Sequence, residues 1–93
     1  MVVAVRTWEL QLPGAHSLKE KRAILQSLKT RLHNQFNVSV AETAHNDSWQ
    51  RGELTACVVA TDARHADSVL GAADRMVELH PGLRIVGTSG GLR

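Results

Sequence analysis

The chain has 93 residues, which is enough for one domain with a single hydrophobic core and too few for separate catalytic and regulatory domains. Eleven Lys and Arg residues against nine Asp and Glu residues give a formal net charge of +2, which does not by itself establish nucleic-acid binding. Hydrophobic residues make up 43% of the chain and aromatic residues 3%, so the composition excludes a disordered chain and predicts an aliphatic core.

The first part of the chain has the pattern of a strand followed by a helix. Val2 to Leu12 is rich in β-branched and large apolar residues and stops at Pro13-Gly14, a pair typical of turns. Ser17 and Glu20 have the spacing of a capping box, which predicts a helix from Leu18 to about Asn34. One face of this helix carries an apolar stripe: Leu18, Leu25, Leu28, Leu32 and Phe36.

The middle of the chain predicts a hairpin. Val38 to Ala41 alternates apolar and small or polar residues, as a short strand does. A polar loop at 45–48 precedes the run from Leu54 to Thr61. Because this run is almost uninterrupted in Ala, Cys and Val, it indicates a strand buried on both faces.

A second helix and a fourth strand complete the pattern. Asp62 is a candidate N-cap for a helix over residues 63–80, which ends before Pro81-Gly82. Leu83 to Val86 is the predicted fourth strand. Residues 89–93, with the sequence Ser-Gly-Gly-Leu-Arg, have no strand pattern and are expected to fray.

The order βαββαβ predicts an α+β fold, the ferredoxin-like split βαβ, with a four-stranded antiparallel sheet and both helices on one face. We assign one domain over residues 1–93. In the first strand, Val3 and Val5 have one parity while Trp8 and Leu10 have the other, so both strand faces carry apolar residues. This pattern favours a homodimer that covers the open sheet face; a bulge with a modest exposed patch is the alternative.

The motifs Ser17-Leu18-Lys19-Glu20-Lys21-Arg22 and Asn37-Val38-Ser39-Val40-Ala41-Glu42, with Asp47 and Trp49, resemble the small bacterial YlxP-like family, domain of unknown function 503. The resemblance covers nearly the whole chain and implies a ferredoxin-like fold but no catalytic residues. Members are often encoded beside translation and ribosome-maturation genes, which implies an RNA or ribosome partner. The chain departs from the family pattern at Gly87 to Gly91, where a more apolar and acidic continuation is expected.

Basic charge is concentrated on the first helix. Its five cations against one acid leave a local charge of +4, whereas the second helix has −1. Arg22 and Lys29 lie together on one edge of the apolar stripe, with Lys19 farther out. Such a cluster is typical of phosphate contacts, although a solvated helix face is the alternative. The candidate nucleic-acid-binding residues on this helix are Lys19, Arg22, Lys29 and Arg31.

Lys21 projects almost into the apolar stripe. Its alkyl stem can cross the core and bring the ammonium to a carboxylate, with Glu42 or Glu9 as the candidates, because an unpaired buried ammonium would be costly. The alternative is an anion site beside the loop at 13–16, where the amides of the helix N-terminus point.

Trp49 and Arg51 lie in the predicted hairpin, where the indole could stack on an unpaired base and the guanidinium could hold a phosphate. The alternative is that Trp49 closes the hairpin or contacts a second copy. Strand three has no aromatic residue and strand one only Trp8, so the binding mode of an RNA-recognition motif is not expected.

No catalytic motif, cofactor site or metal site is expected. The single cysteine, Cys57, cannot form an intramolecular disulfide, and the five histidines are scattered; only His45 with Asp47 has a spacing that could begin a metal site. No signal peptide or membrane span is evident, which predicts a cytoplasmic protein without a membrane partner. The leading hypothesis is a binding protein for RNA or the ribosome; the rival is a homodimeric protein-interaction module.

Overall fold

Six elements follow one another in the order βαββαβ in the computed structural model, which describes every residue from Met1 to Arg93. The strands pair antiparallel in one sheet of order β2-β3-β1-β4, so β2 and β4 are its edges. This arrangement confirms the predicted ferredoxin-like fold. The elements are β1 (Val2–Gln11), α1 (Leu18–Gln35), β2 (Ser39–Ala44), β3 (Arg51–Ala60), α2 (Ala63–Leu79) and β4 (Arg84–Leu92).

The two central strands, β1 and β3, are buried on one face only. Every second residue of β3, from Gly52 to Ala60, is buried beneath the helices, while the residues between them are half-buried or exposed. Val59, which points to the open face, is 58% exposed. The prediction that the third strand is buried on both faces is therefore wrong: its apolar run reflects small and β-branched residues on an open face, not a second covering layer.

Both helices begin at caps that the sequence predicts. The Ser17 hydroxyl accepts from the Glu20 amide at 3.1 Å, while the Glu20 carboxylate accepts from the His16 amide. In α2, the Asp62 carboxylate accepts from the His65 amide at 2.8 Å. Each helix then buries one stripe on the sheet, and the buried stripe residues are Lys21, Leu25, Leu28 and Leu32 in α1 and Ala66, Leu70, Ala73 and Val77 in α2.

The fourth strand is much longer than the sequence predicts. β4 extends to Leu92 and pairs with β1 as far as Ala4, and the Arg93 amide donates to the Val3 carbonyl at 2.7 Å. The expectation that residues 89–93 fray is therefore wrong. The strand is held by backbone pairing along β1 and not by side-chain burial, which is why its polar, glycine-rich sequence has no strand pattern.

α1 lies over β2, and α2 lies over β1, β3 and β4, so the helices form one layer on one side of the sheet. Neither helix combines the length and the apolar character that a bilayer crossing requires. The other side of the sheet carries no layer from this chain. The helix layer and the open sheet face thus both offer surface for contacts.

Candidate nucleic-acid interface

Three of the four cations predicted on α1 line one groove. Lys19, Arg22 and Lys29 lie along the flank of the helix that faces edge strand β2, and the groove between them has a volume of about 430 Å³. Lys29 follows Lys19 by ten residues, which is about 15 Å along the helix axis. Glu42, on β2, is the one carboxylate in the lining.

Lys21 neutralises that carboxylate from inside the fold. Its side chain is fully buried, and Nζ lies 3.0 Å from Oε2 of Glu42 and 2.5 Å from the carbonyl oxygen of His45, to which it donates. The contact with Glu42 is an ion pair without hydrogen-bond geometry. Of the two carboxylates predicted as partners of Lys21, the structure pairs its ammonium with Glu42 and not with Glu9. The groove therefore keeps the charge of its three cations.

Arg31 is not part of the groove. It follows Arg22 by nine residues, which is half a helical rotation, and it faces α2 instead of β2. One of its terminal nitrogens lies 3.1 Å from Nδ1 of His80, a residue that is 5% exposed. Burial and the charge of Arg31 lower the pKa of His80, and a hydrogen bond with the Ile24 backbone opposes them. Arg31 therefore does not share a surface with Lys19, Arg22 and Lys29, and its role in nucleic-acid binding stays a prediction.

The hairpin residues Trp49 and Arg51 are exposed but also lie outside the groove lining. Trp49 is 53% exposed and the side chain of Arg51 61%. A guanidinium nitrogen of Arg51 lies 3.9 Å from Oε2 of Glu9 and 3.5 Å from Nε2 of His45. Gln50 ties the hairpin to the loop before α1, because its amide donates to the Ala15 carbonyl at 3.2 Å. The hairpin thus lies at the same end of the molecule as the start of α1.

One half of the open sheet face is polar. Glu9 and Glu53 are opposite one another on β1 and β3, and His45 Nε2 lies 3.1 Å from Oε2 of Glu9. Hydrogen bonds with Glu9 and with the Thr43 hydroxyl lower the pKa of Glu53; burial opposes them and the charge of His45 assists. No group of three or more His, Cys, Asp or Glu side chains in the chain has the geometry to hold a metal ion.

The other half of the open face is apolar. Val3 and Val5 of β1 pair with Val59 and Cys57 of β3, and all four side chains point away from the helices. A hydrogen bond of 3.0 Å between the hydroxyls of Thr7 and Thr55 marks the boundary with the polar half. The apolar patch predicted on this face therefore covers only half of it.

Arg6 is a charged residue on the helix side that the sequence analysis did not assign. Its Nε lies 3.2 Å from Oδ1 of Asp74, and the same oxygen accepts a hydrogen bond of 2.8 Å from the indole of Trp8. Arg6 has the same strand parity as Trp8, and that parity is the signal that could have placed it beneath the helix layer.

The fold and the groove define a small ferredoxin-like protein with a basic helix flank. The chain belongs to the family described as "Protein of unknown function (DUF503)", which matches residues 3–89. It is 57% identical over 37 residues to "Uncharacterized protein YlxP" of Bacillus subtilis (strain 168), a segment that spans 40% of each chain. A de novo designed protein with ferredoxin fold, solved by solution NMR, superposes with a TM-score of 0.55 at 16% identity, covering 100% of this chain and 84% of that one. The last likeness concerns the fold alone.

Proposed function

We propose that this chain is a non-catalytic protein of the bacterial cytoplasm that binds RNA, free or on the ribosome, through the groove of α1. The observation that carries the proposal is the convergence of Lys19, Arg22 and Lys29 on one concave surface. A solvated helix face would present its cations on a convex flank, whereas a phosphate backbone requires several positive charges along a common track.

Two features of the groove favour a polyanion. The one carboxylate in its lining, Glu42, is paired with buried Lys21, so it does not cancel the cations that face the groove. Gln26, between Arg22 and Lys29 on the same flank, adds an amide that can donate to phosphate or ribose oxygens. Since nothing aromatic lines the groove, the proposed contacts are to the RNA backbone and the affinity is expected to depend little on base sequence.

The test is the affinity of the wild-type protein and the variant Arg22→Gln/Lys29→Gln for a fluorescently labelled single-stranded RNA, measured by anisotropy over a range of salt concentrations. Gln keeps the helix propensity, so the fold should survive. The variant should bind more weakly to every RNA sequence. Its slope of log affinity against log salt should be shallower by about 0.7 for each phosphate that the protein no longer neutralises, up to two phosphates.

The matched control is Arg64→Gln/Arg75→Gln, which removes the same charge from two exposed positions of α2. This control should keep the wild-type slope. Equal weakening in both double variants would show that net charge, and not the groove, determines binding. Wild-type binding without salt dependence, or no RNA binding at all, would overturn the proposal.

A second candidate function is a homodimeric interaction module, and the apolar half of the open face favours it. Val59, one of its four residues, is 58% exposed although β-branched residues of that size are usually buried in a domain of this kind. In a two-fold dimer the same patch meets itself, so Val3, Val5 and Cys57 of both copies would bury one another around Val59. The polar half would lie beside this contact.

Sedimentation velocity over a wide range of protein concentrations tests the dimer. The wild-type chain should sediment as a dimer at high concentration, and Val59→Glu should shift it to the monomer because a carboxylate would be buried in the contact. Val86→Glu, which changes a residue with 53% exposure on edge strand β4, is the matched control and should leave the dimer intact. A wild-type monomer at all concentrations would remove this candidate.

A further inference from the structure

A second cavity lies on the far side of the helix layer from the groove. It is bounded by the start of α2 and by strands β1 and β4, and its volume is about 250 Å³. The lining is mostly apolar and includes Ala4, Ala63, Leu70 and Leu92. Because this volume is below the usual range of about 300 to 1,000 Å³ for drug-sized ligands, only a small molecule fits.

Two opposite charges border this apolar cavity without neutralising each other. Arg6 comes from β1 and Asp67 from α2, and they form no ion pair. The one charged contact of Arg6 is through Nε to Asp74, and this Nε is buried without a hydrogen-bond partner. Asp74 does not line the cavity, and it is already bound by the indole of Trp8. The terminal nitrogens of the guanidinium thus stay available for an anionic group.

We propose that the cavity binds a small zwitterion with an aliphatic portion, the chemical class of free aliphatic amino acids. The planar guanidinium of Arg6 would accommodate the carboxylate, Asp67 the ammonium, and Leu70 with Leu92 the aliphatic chain. A simple anion would be repelled by Asp67 and a simple cation by Arg6. The apolar walls and the small volume disfavour nucleotides.

β4 borders the cavity at Gly91 and Leu92. Gly90 and Gly91 have φ values of +142° and +153°, which side-chain-bearing residues rarely adopt, and an ideal Cβ on Gly90 would lie 2.0 Å from the Val5 carbonyl oxygen. The strand therefore passes the cavity as bare backbone at Gly91.

The experiment is an NMR titration of the isotope-labelled full chain with L-leucine, compared with 4-methylpentanoate, which lacks the ammonium, and 3-methylbutylamine, which lacks the carboxylate. Leucine should cause saturable shifts of the amides of Val5, Ala63, Asp67 and Gly91. Each of the two analogues should bind at least about tenfold more weakly, since each leaves one charge of the site without its partner.

Two substitutions test whether Asp67 binds the ammonium of leucine and Arg6 its carboxylate. Asp67→Asn, at an exposed position that the fold does not require, should weaken leucine binding at least about tenfold and bring it to the level of 4-methylpentanoate. Arg6→Gln should abolish leucine binding, provided that the variant keeps the native spectrum. Glu78→Gln, which removes a carboxylate from the exposed face of the same helix, should leave the affinity unchanged.

Three results would overturn the proposal: no saturable shift with leucine, shifts that centre elsewhere in the chain, or 4-methylpentanoate binding as tightly as leucine to the wild-type chain. A decrease in leucine affinity in Glu78→Gln equal to that in Asp67→Asn would also overturn it. None of these outcomes bears on RNA binding, because no residue of the cavity lines the groove.

Discussion

Lys21 links the interior of the domain to the proposed RNA groove. It is the one fully buried lysine, and its ammonium compensates the carboxylate that would otherwise place a negative charge in the groove. Lys21→Gln should lower the free energy of unfolding by about 2 to 4 kcal/mol, because Glu42 is left partly buried without a cation. Urea denaturation measures the change, and the same variant should bind RNA more weakly.

Two further variants show whether the effect belongs to the ion pair. Lys19→Gln, at an exposed position of the same helix, should change stability by less than about 0.5 kcal/mol. Lys21→Met combined with Glu42→Met should recover much of the stability that Lys21→Gln removes, since apolar residues often replace a buried pair at little cost. A decrease below about 1 kcal/mol for Lys21→Gln would contradict a structural role for the pair.

His80 makes the stability of the domain depend on pH. Its pKa is held below the usual value of 6.5 by burial and by the charge of Arg31, so the unfolded chain binds a proton more readily than the folded one. The contribution of uncharged His80 to the free energy of unfolding is complete above about pH 6.5. It is lost as the pH falls toward the lowered pKa of the folded state. The urea midpoint should therefore decrease on going from about pH 7.5 to about pH 5.5.

His80→Gln should reduce this decrease, whereas His33→Gln, at an exposed position in the last turn of α1, should preserve it. An unchanged pH dependence in His80→Gln would assign the effect to other groups.

At the scale of single residues, helical projection and strand parity predict which face of a helix or strand most side chains occupy. Projection places Lys21 in the buried stripe, and the need of a buried ammonium for a carboxylate partner leaves Glu42 and Glu9 as candidates. Projection could also have separated Arg31 from Arg22, because the two lie on opposite flanks of α1. Parity could likewise have placed Arg6 beside Trp8. The contact of Arg31 with His80 depends on how α2 packs against α1, and no local pattern predicts it.

Among the elements, β4 is the one whose extent the sequence does not indicate. Residues 89–92 have neither apolar alternation nor β-branched side chains, and they form a strand because β1 offers a continuous row of backbone partners. The bulge between Glu9 and Leu10 of β1 shifts the register of this pairing. The other elements carry their own signals of caps, stripes and turns, which is why their order and approximate bounds are predictable.

Gly90 is the position where this strand is most sensitive. Gly90→Ala should destabilise the domain by about 1 to 3 kcal/mol, because its positive φ and the approach of Cβ to the Val5 carbonyl are both unfavourable. Hydrogen exchange should accelerate at the amides that pair the end of β4 with β1. Gly14→Ala, where no atom approaches the new Cβ within 4 Å, should be nearly neutral. Equal stability of the two variants would show that the end of β4 contributes little.

Across the whole molecule, the proposed contacts occupy three separate surfaces. The groove lies on the outer flank of α1, the cavity beside the start of α2, and the apolar patch on the opposite side of the sheet. A dimer formed through the open faces would therefore leave both helix layers on the outside. It would present two grooves, one on each side of the assembly.

This geometry predicts that dimerisation matters only for long RNA. An RNA that reaches both grooves gains affinity from the second contact, whereas a short oligonucleotide occupies one groove and gains nothing. Val59→Glu and Val59→Lys should both disrupt the proposed dimer, but they change the net charge in opposite directions. A decrease in affinity that both variants share is therefore due to the loss of the second groove and not to charge. Both variants should bind long RNA at least about tenfold more weakly than the wild type, with short-RNA affinity shifted only slightly and in opposite directions. If long and short RNA lose affinity equally, or if only Val59→Glu weakens binding, the two grooves do not act together.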